Sequence, residues 1–310
     1  AREQVKCMLK TSRAFDIFDR GGVFAFIGPT GVGKTTTVAK ELVAQLSDPN
    51  CGPMLVALAA PTGKAAKRMT EAMDRALAGA PEHVRQTILG SPAKTVHSLL
   101  GANPGRVDGR FTHHAGNKLK FNIVIVDEVS MMSLSMMYHL LAALPDETKL
   151  VLVGDPDQLA SVDAGTVLAD IVAGSPEGRI QKLETQHRFK DAPNIVAAAN
   201  AIREGNVEET LAAISGNKAD VQWIDPNDSP DLAEEILDSV VAHAKEVIKL
   251  ASEGQGAAAL ALKGKMQVLC AHRSGKMGVA GWNKIVEQRL GPATANQWYL
   301  GRPIIVTEND

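Results

Sequence analysis

The sequence predicts an α/β fold in which a parallel sheet carries helices on both faces. Four short apolar runs are each followed by a stretch with helical spacing of apolar residues, and no repeat of fixed period is evident. Unbroken apolar runs are typical of strands buried on both faces, and strands that alternate with helices favour a parallel sheet. The predicted strands cover residues 23–27, 54–59, 121–128 and 149–155, and the predicted helices cover residues 34–46, 64–77, 134–144 and 165–172.

The character of the sequence changes after about residue 185, which predicts a second domain. Alanine-rich helical stretches follow at 194–203 and from Ser229-Pro230, where serine suits an N-cap and proline the first helical position. Residues 264–272 and 303–308 are predicted strands, and residues 281–290 a helix. We expect a first domain over 1–185, with a small insertion at about 102–118, and the N-terminal part of a second domain over 186–310 that stops as a truncated α/β domain would.

Composition indicates an ordinary soluble protein. The chain has 310 residues, of which 45% are hydrophobic and 22% charged, and its three cysteines form no CxxC pair. Widely spaced cysteines favour a reduced, cytoplasmic protein, and no apolar run approaches the roughly 20 residues that span a bilayer, so no membrane contact is expected. The formal net charge of −2 excludes a generally basic surface. Any nucleic acid would have to bind along a local track of amides and a few cations.

The stretch GPTGVGKTT, between a predicted strand and a predicted helix, has the full spacing of a phosphate-binding loop. Glycines allow backbone N–H groups to point at a phosphate, and the helix N-terminus adds partial positive charge. Lys34 would reach the β- and γ-phosphates, and the Thr35 hydroxyl would face Mg²⁺. The alternative is a glycine turn that merely opens a helix. The predicted nucleotide-binding residues are Gly28, Pro29, Thr30, Gly31, Val32, Gly33, Lys34, Thr35 and Thr36.

Two later strands end in polar residues that complete such a site. Asp127 and Glu128 end the strand predicted at 121–128, where an aspartate holds Mg²⁺ through water and a glutamate polarises the attacking water. Gln158 follows the strand predicted at 149–155 and is placed to contact the γ-phosphate. The alternative is that these residues are solvated strand ends. Lys34, Asp127, Glu128 and Gln158 are therefore candidate catalytic residues, and Thr35 and Asp127 candidate metal ligands.

The residues around the phosphate loop, GGVFAFIGPTGVGKTTTVAK, resemble the signal-recognition type of GTPase, particularly its FlhF branch. That resemblance implies a DxxG element after the second strand motif and a TKxD element that reads guanine. The chain has DEVSMM at the first place, and its Thr148-Lys149 pair has no following aspartate. This interpretation lacks its base-specific contact.

The rest of the chain resembles another family. The segments LAAPTGKAAKRM, TVHSLLG, RFTHHAGNKLKFNIVIVDEVSMM, LVLVGDPDQLASVDAGTVLADI, QHRF and VLCAHRSGKMGVAGWNKIVE are similar to the RecD family, superfamily-1 helicases that belong to exodeoxyribonuclease V. The resemblance is ordered along the chain. It implies a RecA-like P-loop NTPase fold, with the start of a second RecA-like domain. It also implies ATP and Mg²⁺ as cofactors and 5′→3′ movement on the 5′-ended single strand of DNA in double-strand-break repair and recombination. The implied partners are RecB- and RecC-like subunits.

The same resemblance assigns further residues. A basic helix start would grip DNA phosphates, although it is also a plausible capped helix start. A threonine and a histidine further on would make a second backbone contact, with a capping threonine beside a packed histidine as the alternative. Arg188, in QHRF, would reach the γ-phosphate, or else be an ordinary surface arginine. The implied DNA-binding residues are Pro61, Thr62, Gly63, Lys64, Lys67, Thr95 and His97, and Arg68 extends their basic face.

The chain departs from the family pattern in several places. It lacks the family's N-terminal domain and its last motifs, one of which carries another γ-phosphate arginine; such an arginine is typically worth about 10³–10⁵ in rate. We therefore expect it to bind ATP with Mg²⁺ and to unwind little DNA by itself. Gln4 is a candidate adenine reader, although it lies somewhat far from the loop. A subunit that binds nucleotide without turnover is a third interpretation.

Four methionines and three aromatic residues are expected to pack rather than bind a ligand. An aromatic content of 4% also argues against base stacking as the main grip on a single strand. These residues are Met131, Met132, Met136, Met137, Phe111, Trp282 and Trp298.

Overall fold

The structure is a computed structural model. It describes residues 22–29, 33–48, 54–89, 92–102, 111–158, 166–174, 181–183, 192–215, 218–225, 227–228, 230–291 and 298–304. The chain divides into two compact units, residues 1–209 and residues 210–310. The predicted domain boundary at 185 falls within residues 184–191, which lie outside the described part, so the two predicted domains stay a prediction.

In its described residues, the first unit contains a six-stranded sheet. The strands are β1 (Gly22–Ile27), β2 (Val56–Ala60), β3 (Lys94–Thr95), β4 (Ile123–Val126), β5 (Lys149–Gly154) and β6 (Gln181–Lys182). Their order in the sheet is β3-β2-β4-β5-β1-β6, and every pairing between them is parallel. All residues of β2, β4 and β5 are buried, as expected for central strands covered on both faces. The predicted α/β fold is confirmed.

Helices connect these strands or follow them. The helices before strand β4 are α1 (Lys34–Leu46), α2 (Gly63–Ala76), α3 (Glu82–Leu89) and the short α4 (Val96–Leu99). After it come a 3-10 turn (Val129–Met131), α5 (Leu134–Ala143), α6 (Val167–Gly174), α7 (Pro193–Glu204) and α8 (Val207–Ile214). Side-chain caps mark three of the starts, because Thr62, Thr95 and Ser133 each accept a hydrogen bond from the backbone N–H three residues on.

The core has two halves, one on each face of the sheet. Alternate residues of β4 and β5 point to opposite faces, because side chains in a strand alternate. Ile123, Ile125, Val151 and Val153 pack with the buried faces of α1, α2 and α3. Val124, Val126, Leu150 and Leu152 pack with α4, α5 and α6. The sheet is therefore covered by helices on both faces, as the sequence predicts.

The second unit, in its described residues, contains helices and no strand. The boundary at residue 209 falls inside α8, and the helices that lie wholly in the second unit are α9 (Pro230–Ser252), α10 (Gly256–Lys263) and α11 (Val279–Leu290). Arg289 joins two of them by donating to Glu234 and Asp238. The strand predicted at 264–272 is wrong: residues 266–270 form no strand, and Leu269 is 88% exposed. A strand needs a hydrogen-bonded neighbour, and no described residue of this unit supplies one.

The residues expected to pack do so unequally. Met132 and Met137 are buried and Phe111 packs against the core, but Met131 is 47% exposed. Trp298 is 76% exposed, so its predicted packing is wrong in the structure. None of the described helices is both long enough and apolar enough to cross a membrane.

Candidate nucleotide-binding site

The candidate site lies where strands β1, β4 and β5 end. In a parallel sheet these carboxyl ends meet at one edge, which is where ligands bind in folds of this kind. Strand β5 pairs with β1 on one side and with β4 on the other. The phosphate loop, the acidic pair and the Gln158 segment therefore follow three neighbouring strands.

The phosphate loop turns sharply into α1. Gly33 precedes the helix with φ of 81°, in the left-handed region that favours glycine. Lys34 extends back over the loop, and its Nζ donates to the carbonyl oxygens of Gly28 at 2.5 Å and Pro29 at 3.0 Å. The ammonium group thus lies beside the end of β1, where the loop begins. Thr30, Gly31 and Val32 lie outside the described residues.

A hydrogen bond joins the start of α1, directly after the phosphate loop, to the aspartate that follows β4. The Thr35 hydroxyl donates to Asp127 Oδ2 at 2.8 Å, across 92 residues of sequence. Asp127 is held in place, because its N–H donates to Ala59 and its Oδ1 accepts from the N–H of Glu128. The two predicted metal-binding residues are in direct contact. Thr36, next along α1, is exposed.

Glu128 has an unusual backbone. Its φ of 52° and ψ of 40° are left-handed, and among the described residues it is the only one other than glycine with positive φ. Such conformations cost a non-glycine residue of order 1–3 kcal/mol and are concentrated at functional sites. The turn takes the chain from β4 into the 3-10 turn.

Gln158 is held by a small polar network at the end of β5. Its amide nitrogen donates to Asp155 Oδ2 at 3.4 Å, and its amide oxygen accepts from the Ser130 hydroxyl at 3.5 Å. Asp155 is 5% exposed and also accepts from the N–H of Asp157 at 3.1 Å. Sequence reasoning assigned no role to Asp155 or Ser130. The signal for Asp155 was available, since this residue directly follows a buried strand.

The end of β5 packs closely against the turn that follows Glu128. A Cβ added at Gly154 would lie 3.3 Å from the backbone nitrogens of Val129 and Ser130, and 2.6 Å from Leu168. Glycine therefore permits the approach of β5 to the turn after Glu128.

Burial shifts the pKa values of the charged residues of the site toward their neutral forms. Burial lowers the pKa of Lys34, while the carboxylates of Asp155, Glu128 and Asp127 oppose this shift. Burial raises the pKa of Asp127, although the hydrogen bond from Thr35 acts the other way. Burial likewise raises the pKa of Glu128, and the charge of Asp127 raises it further. A bound cation would weaken the repulsion between the carboxylates of Asp127 and Glu128.

The arrangement fits a nucleotide with Mg²⁺ better than a metal held by protein alone. Mg²⁺ usually takes one or two protein oxygen ligands and completes its shell with water and phosphate. The Thr35 hydroxyl and the Asp127 carboxylate supply such oxygens beside the lysine of the loop. Within the described parts of the chain, no group of three His, Cys, Asp or Glu residues is arranged to hold a metal.

The residues assigned to DNA lie at the ends of β2 and β3. These strands are neighbours, with Ala60 opposite Thr95, so Pro61 and Thr62 emerge beside Thr95. Both threonines cap helices: Thr62 Oγ1 accepts from Ala65 at 3.3 Å, and Thr95 Oγ1 from Ser98 at 3.1 Å. A capping hydroxyl still has its O–H available to donate to a phosphate.

The cations near these threonines face solvent. The exposed residues of this face are Gly63, Lys64, Lys67, Arg68 and His97. The His97 ring lies 6.1 Å from the ring of Phe111, which contacts His139 in turn. His97 is thus both exposed and in ring contact. Arg188 and Gln4 lie outside the described residues, so their assignments stay predictions.

The fold and the site define a P-loop nucleotide-binding protein. The glycine-rich stretch lies between a strand and a helix, its lysine donates to the carbonyl oxygen of Gly28, and its threonine contacts the aspartate that follows a second strand. The chain belongs to the AAA domain family, whose sequence model matches residues 14–225.

Individual relatives agree with this assignment. The chain is 42% identical over 298 residues to RecBCD enzyme subunit RecD of Mycolicibacterium smegmatis, a match that covers 93% of this chain and 52% of the relative. It is 37% identical over 178 residues to the ATP-dependent RecD2 DNA helicase of Deinococcus radiodurans, covering 57% of this chain and 21% of that protein. The chain spans about half the length of the curated RecD relatives that it matches. The resemblance to RecD is confirmed.

A solved structure of Pif1 helicase from Bacteroides, in complex with ADP-AlF3 and ssDNA, is also similar. The identity is 20% and the TM-score 0.37, with 77% of this chain and 56% of that chain covered.

Proposed function

We propose that the chain is the ATP-driven motor portion of a RecD-like DNA helicase subunit. The observation that carries the proposal is the contact between Thr35 Oγ1 and Asp127 Oδ2, which joins the residue after the phosphate-loop lysine to the aspartate that follows β4. The names of the relatives, a RecBCD subunit and an ATP-dependent DNA helicase, support a motor that acts on DNA. They do not support the GTPase interpretation.

The residues of the site divide the chemistry of ATP hydrolysis between them. Lys34 would bind the β- and γ-phosphates, and Thr35 and Asp127 would hold Mg²⁺, Asp127 through water. Bound Mg²⁺ supplies positive charge against the phosphates. Glu128 accepts a proton from the attacking water, a task that its raised pKa favours. Gln158 contacts the γ-phosphate, and Arg188 is proposed to stabilise charge there.

Single-stranded DNA is proposed to follow the edge formed by the ends of β2 and β3. Thr62 and Thr95 would donate hydroxyl hydrogens to phosphates, and Lys64 and Lys67 would neutralise them. His97, two residues beyond Thr95, completes this track. We propose 5′→3′ movement on the 5′-ended strand.

We also propose that the complete subunit works with RecB- and RecC-like partners in the cytoplasm, in double-strand-break repair and recombination. The name of the matching relatives, RecBCD enzyme subunit RecD, supports these partners. Residues 1–310 alone are expected to bind ATP with Mg²⁺ and to unwind little DNA. Robust unwinding by this chain alone would contradict that expectation.

The test is ATPase activity measured with and without single-stranded DNA, for the wild type and Lys34→Ala. We expect stimulation by DNA in the wild type and a loss of at least about a hundredfold in the variant, because Lys34 would contact the transferred phosphate. Lys40→Ala, an exposed change on the same helix, serves as the matched control.

The two other interpretations predict different results. A GTPase would show GTP displacing bound ATP with higher affinity than ATP itself. A subunit without turnover would leave the activity of its assembly unchanged by Lys34→Ala and Glu128→Gln. Either outcome would overturn the proposed function.

A further inference from the structure

Arg203, near the end of α7, makes an ion pair with the segment that carries Gln158. Its Nη1 lies 3.4 Å from Asp157 Oδ2. Its Nη2 donates to Asn200 Oδ1 at 2.9 Å, one turn earlier on the same helix. Because two different nitrogens are engaged, the guanidinium is oriented toward Asp157 by its own helix.

The ion pair is coupled to Gln158 through Asp155. One carboxylate oxygen of Asp155 accepts from the N–H of Asp157, and the other accepts from the side-chain amide of Gln158. Asp155 is 5% exposed. A buried carboxylate shared by two donors cannot follow one of them without moving relative to the other. The position of Asp157 therefore affects that of the Gln158 amide.

Charge gives a second reason for the pair. Asp155 and Asp157 place two carboxylates in one short turn. Asp155 already has Lys34 as a nearby cation, and its charge acts on that lysine more strongly than those of Glu128 and Asp127. Asp157 has Arg203. Without Arg203, Asp157 would bring uncompensated negative charge to a turn beside the proposed triphosphate site.

We propose that Arg203 is a positioning residue, which holds the turn at residues 155–158 through Asp157 so that the Gln158 amide is aimed at the nucleotide. This inference rests on the proposed function in assigning the ligand of Gln158. The ion pair itself does not depend on that assignment. Through it, α7 and the end of β5 are mechanically connected.

The magnitude is expected to be modest. The two side chains are 41% and 40% exposed, and exposed ion pairs are weakened by solvent. We expect Arg203→Ala and Asp157→Asn each to lower kcat by about two- to fivefold, with KM for ATP changed less than twofold. The double variant should match the single variants, because each already breaks the same pair.

The experiment compares four proteins with the wild type: the two single variants, the double variant and the charge-reversed pair Arg203→Asp with Asp157→Arg. The control is Arg85→Ala, which removes an exposed helical arginine elsewhere in the unit. Steady-state kinetics of ATP hydrolysis are measured for each. The reversed pair should recover at least half of the lost kcat.

Hydrogen exchange of the peptide that contains residues 155–158 supplies a readout that needs no turnover. Both single variants should exchange faster there than Arg85→Ala, since the N–H of Asp157 is bonded within the turn. A wild type without ATPase activity would overturn the proposed function and leave this comparison intact. Exchange equal to that of the control, additive losses of kcat, or a lower Tm at unchanged kcat would overturn the positioning role.

Discussion

At the scale of single residues, Glu128 combines a strained backbone with a carboxyl group that burial makes hard to ionise. A variant without the Glu128 charge should therefore change the rate of ATP hydrolysis and the stability of the fold in opposite directions. Because its pKa is raised in the folded state, ionised Glu128 destabilises the fold, and this loss grows as pH rises through the raised pKa. As a general base it must be ionised, so ATP hydrolysis should fall as pH drops through the same value.

We predict that Glu128→Gln lowers kcat by about 10²–10⁴-fold, since that is the usual contribution of a positioned base. Nucleotide affinity should be retained. The Tm at pH 7 should not fall and is expected to rise, because the variant removes a buried charge, and the gain should vanish at acid pH. Calorimetry at both pH values and single-turnover kinetics check this. Glu41→Gln, an exposed change on α1, should alter neither property.

At the scale of secondary-structure elements, the start of α2 has both a structural and a proposed functional role. Thr62 Oγ1 accepts the hydrogen bond from Ala65, which satisfies one of the free N–H groups at the helix start. The same hydroxyl is proposed to donate to DNA.

We predict that Thr62→Ala lowers the free energy of unfolding by about 1 kcal/mol through loss of the cap. It should also weaken binding of single-stranded DNA, because no donor is left. Thr62→Ser keeps both functions and should resemble the wild type. Denaturant unfolding and fluorescence anisotropy with a labelled oligonucleotide measure the two effects. If DNA affinity is unchanged in Thr62→Ala, the threonine only caps the helix.

At the scale of the whole molecule, the net charge of −2 limits nucleic-acid binding to a local track. The dependence of affinity on salt reports how many phosphates are neutralised. A chain without a general basic surface should therefore show a shallow dependence.

We predict that Lys64→Ala reduces the slope of log K against log salt concentration by about 0.7, the value for one phosphate of a single strand. Lys245→Ala, an exposed change on α9, should leave the slope unchanged. The same anisotropy assay, repeated over a range of salt concentrations, gives both slopes. Equal slopes for Lys64→Ala and the wild type would remove this lysine from the track.

Much of the fold could be predicted, because local patterns specify local structure. Helix α1 has the predicted bounds, β4 and β5 lie within the predicted runs, β1 begins one residue before its run, and β2 begins two residues and ends one residue later than predicted. The short strands β3 and β6 were missed, since two residues carry no periodic signal. Residues 264–272, GKMQVLCAH, were predicted as a strand from their local sequence, but an apolar run forms a strand only where a neighbour pairs with it.

By itself, the sequence determined that the chain has a phosphate loop after its first strand, acids after a later strand and a family resemblance to RecD. These features can be recognised from residue spacing, because each motif is formed by residues within a few positions of one another in the chain. The tertiary structure alone decided that Thr35 touches Asp127, that Asp155 is shared by Asp157 and Gln158, and that Arg203 reaches Asp157. Except for those within the turn at 155–158, such contacts join residues far apart in the chain. They depend on the order of the strands, which places β5 between β1 and β4 and brings three strand ends to one edge.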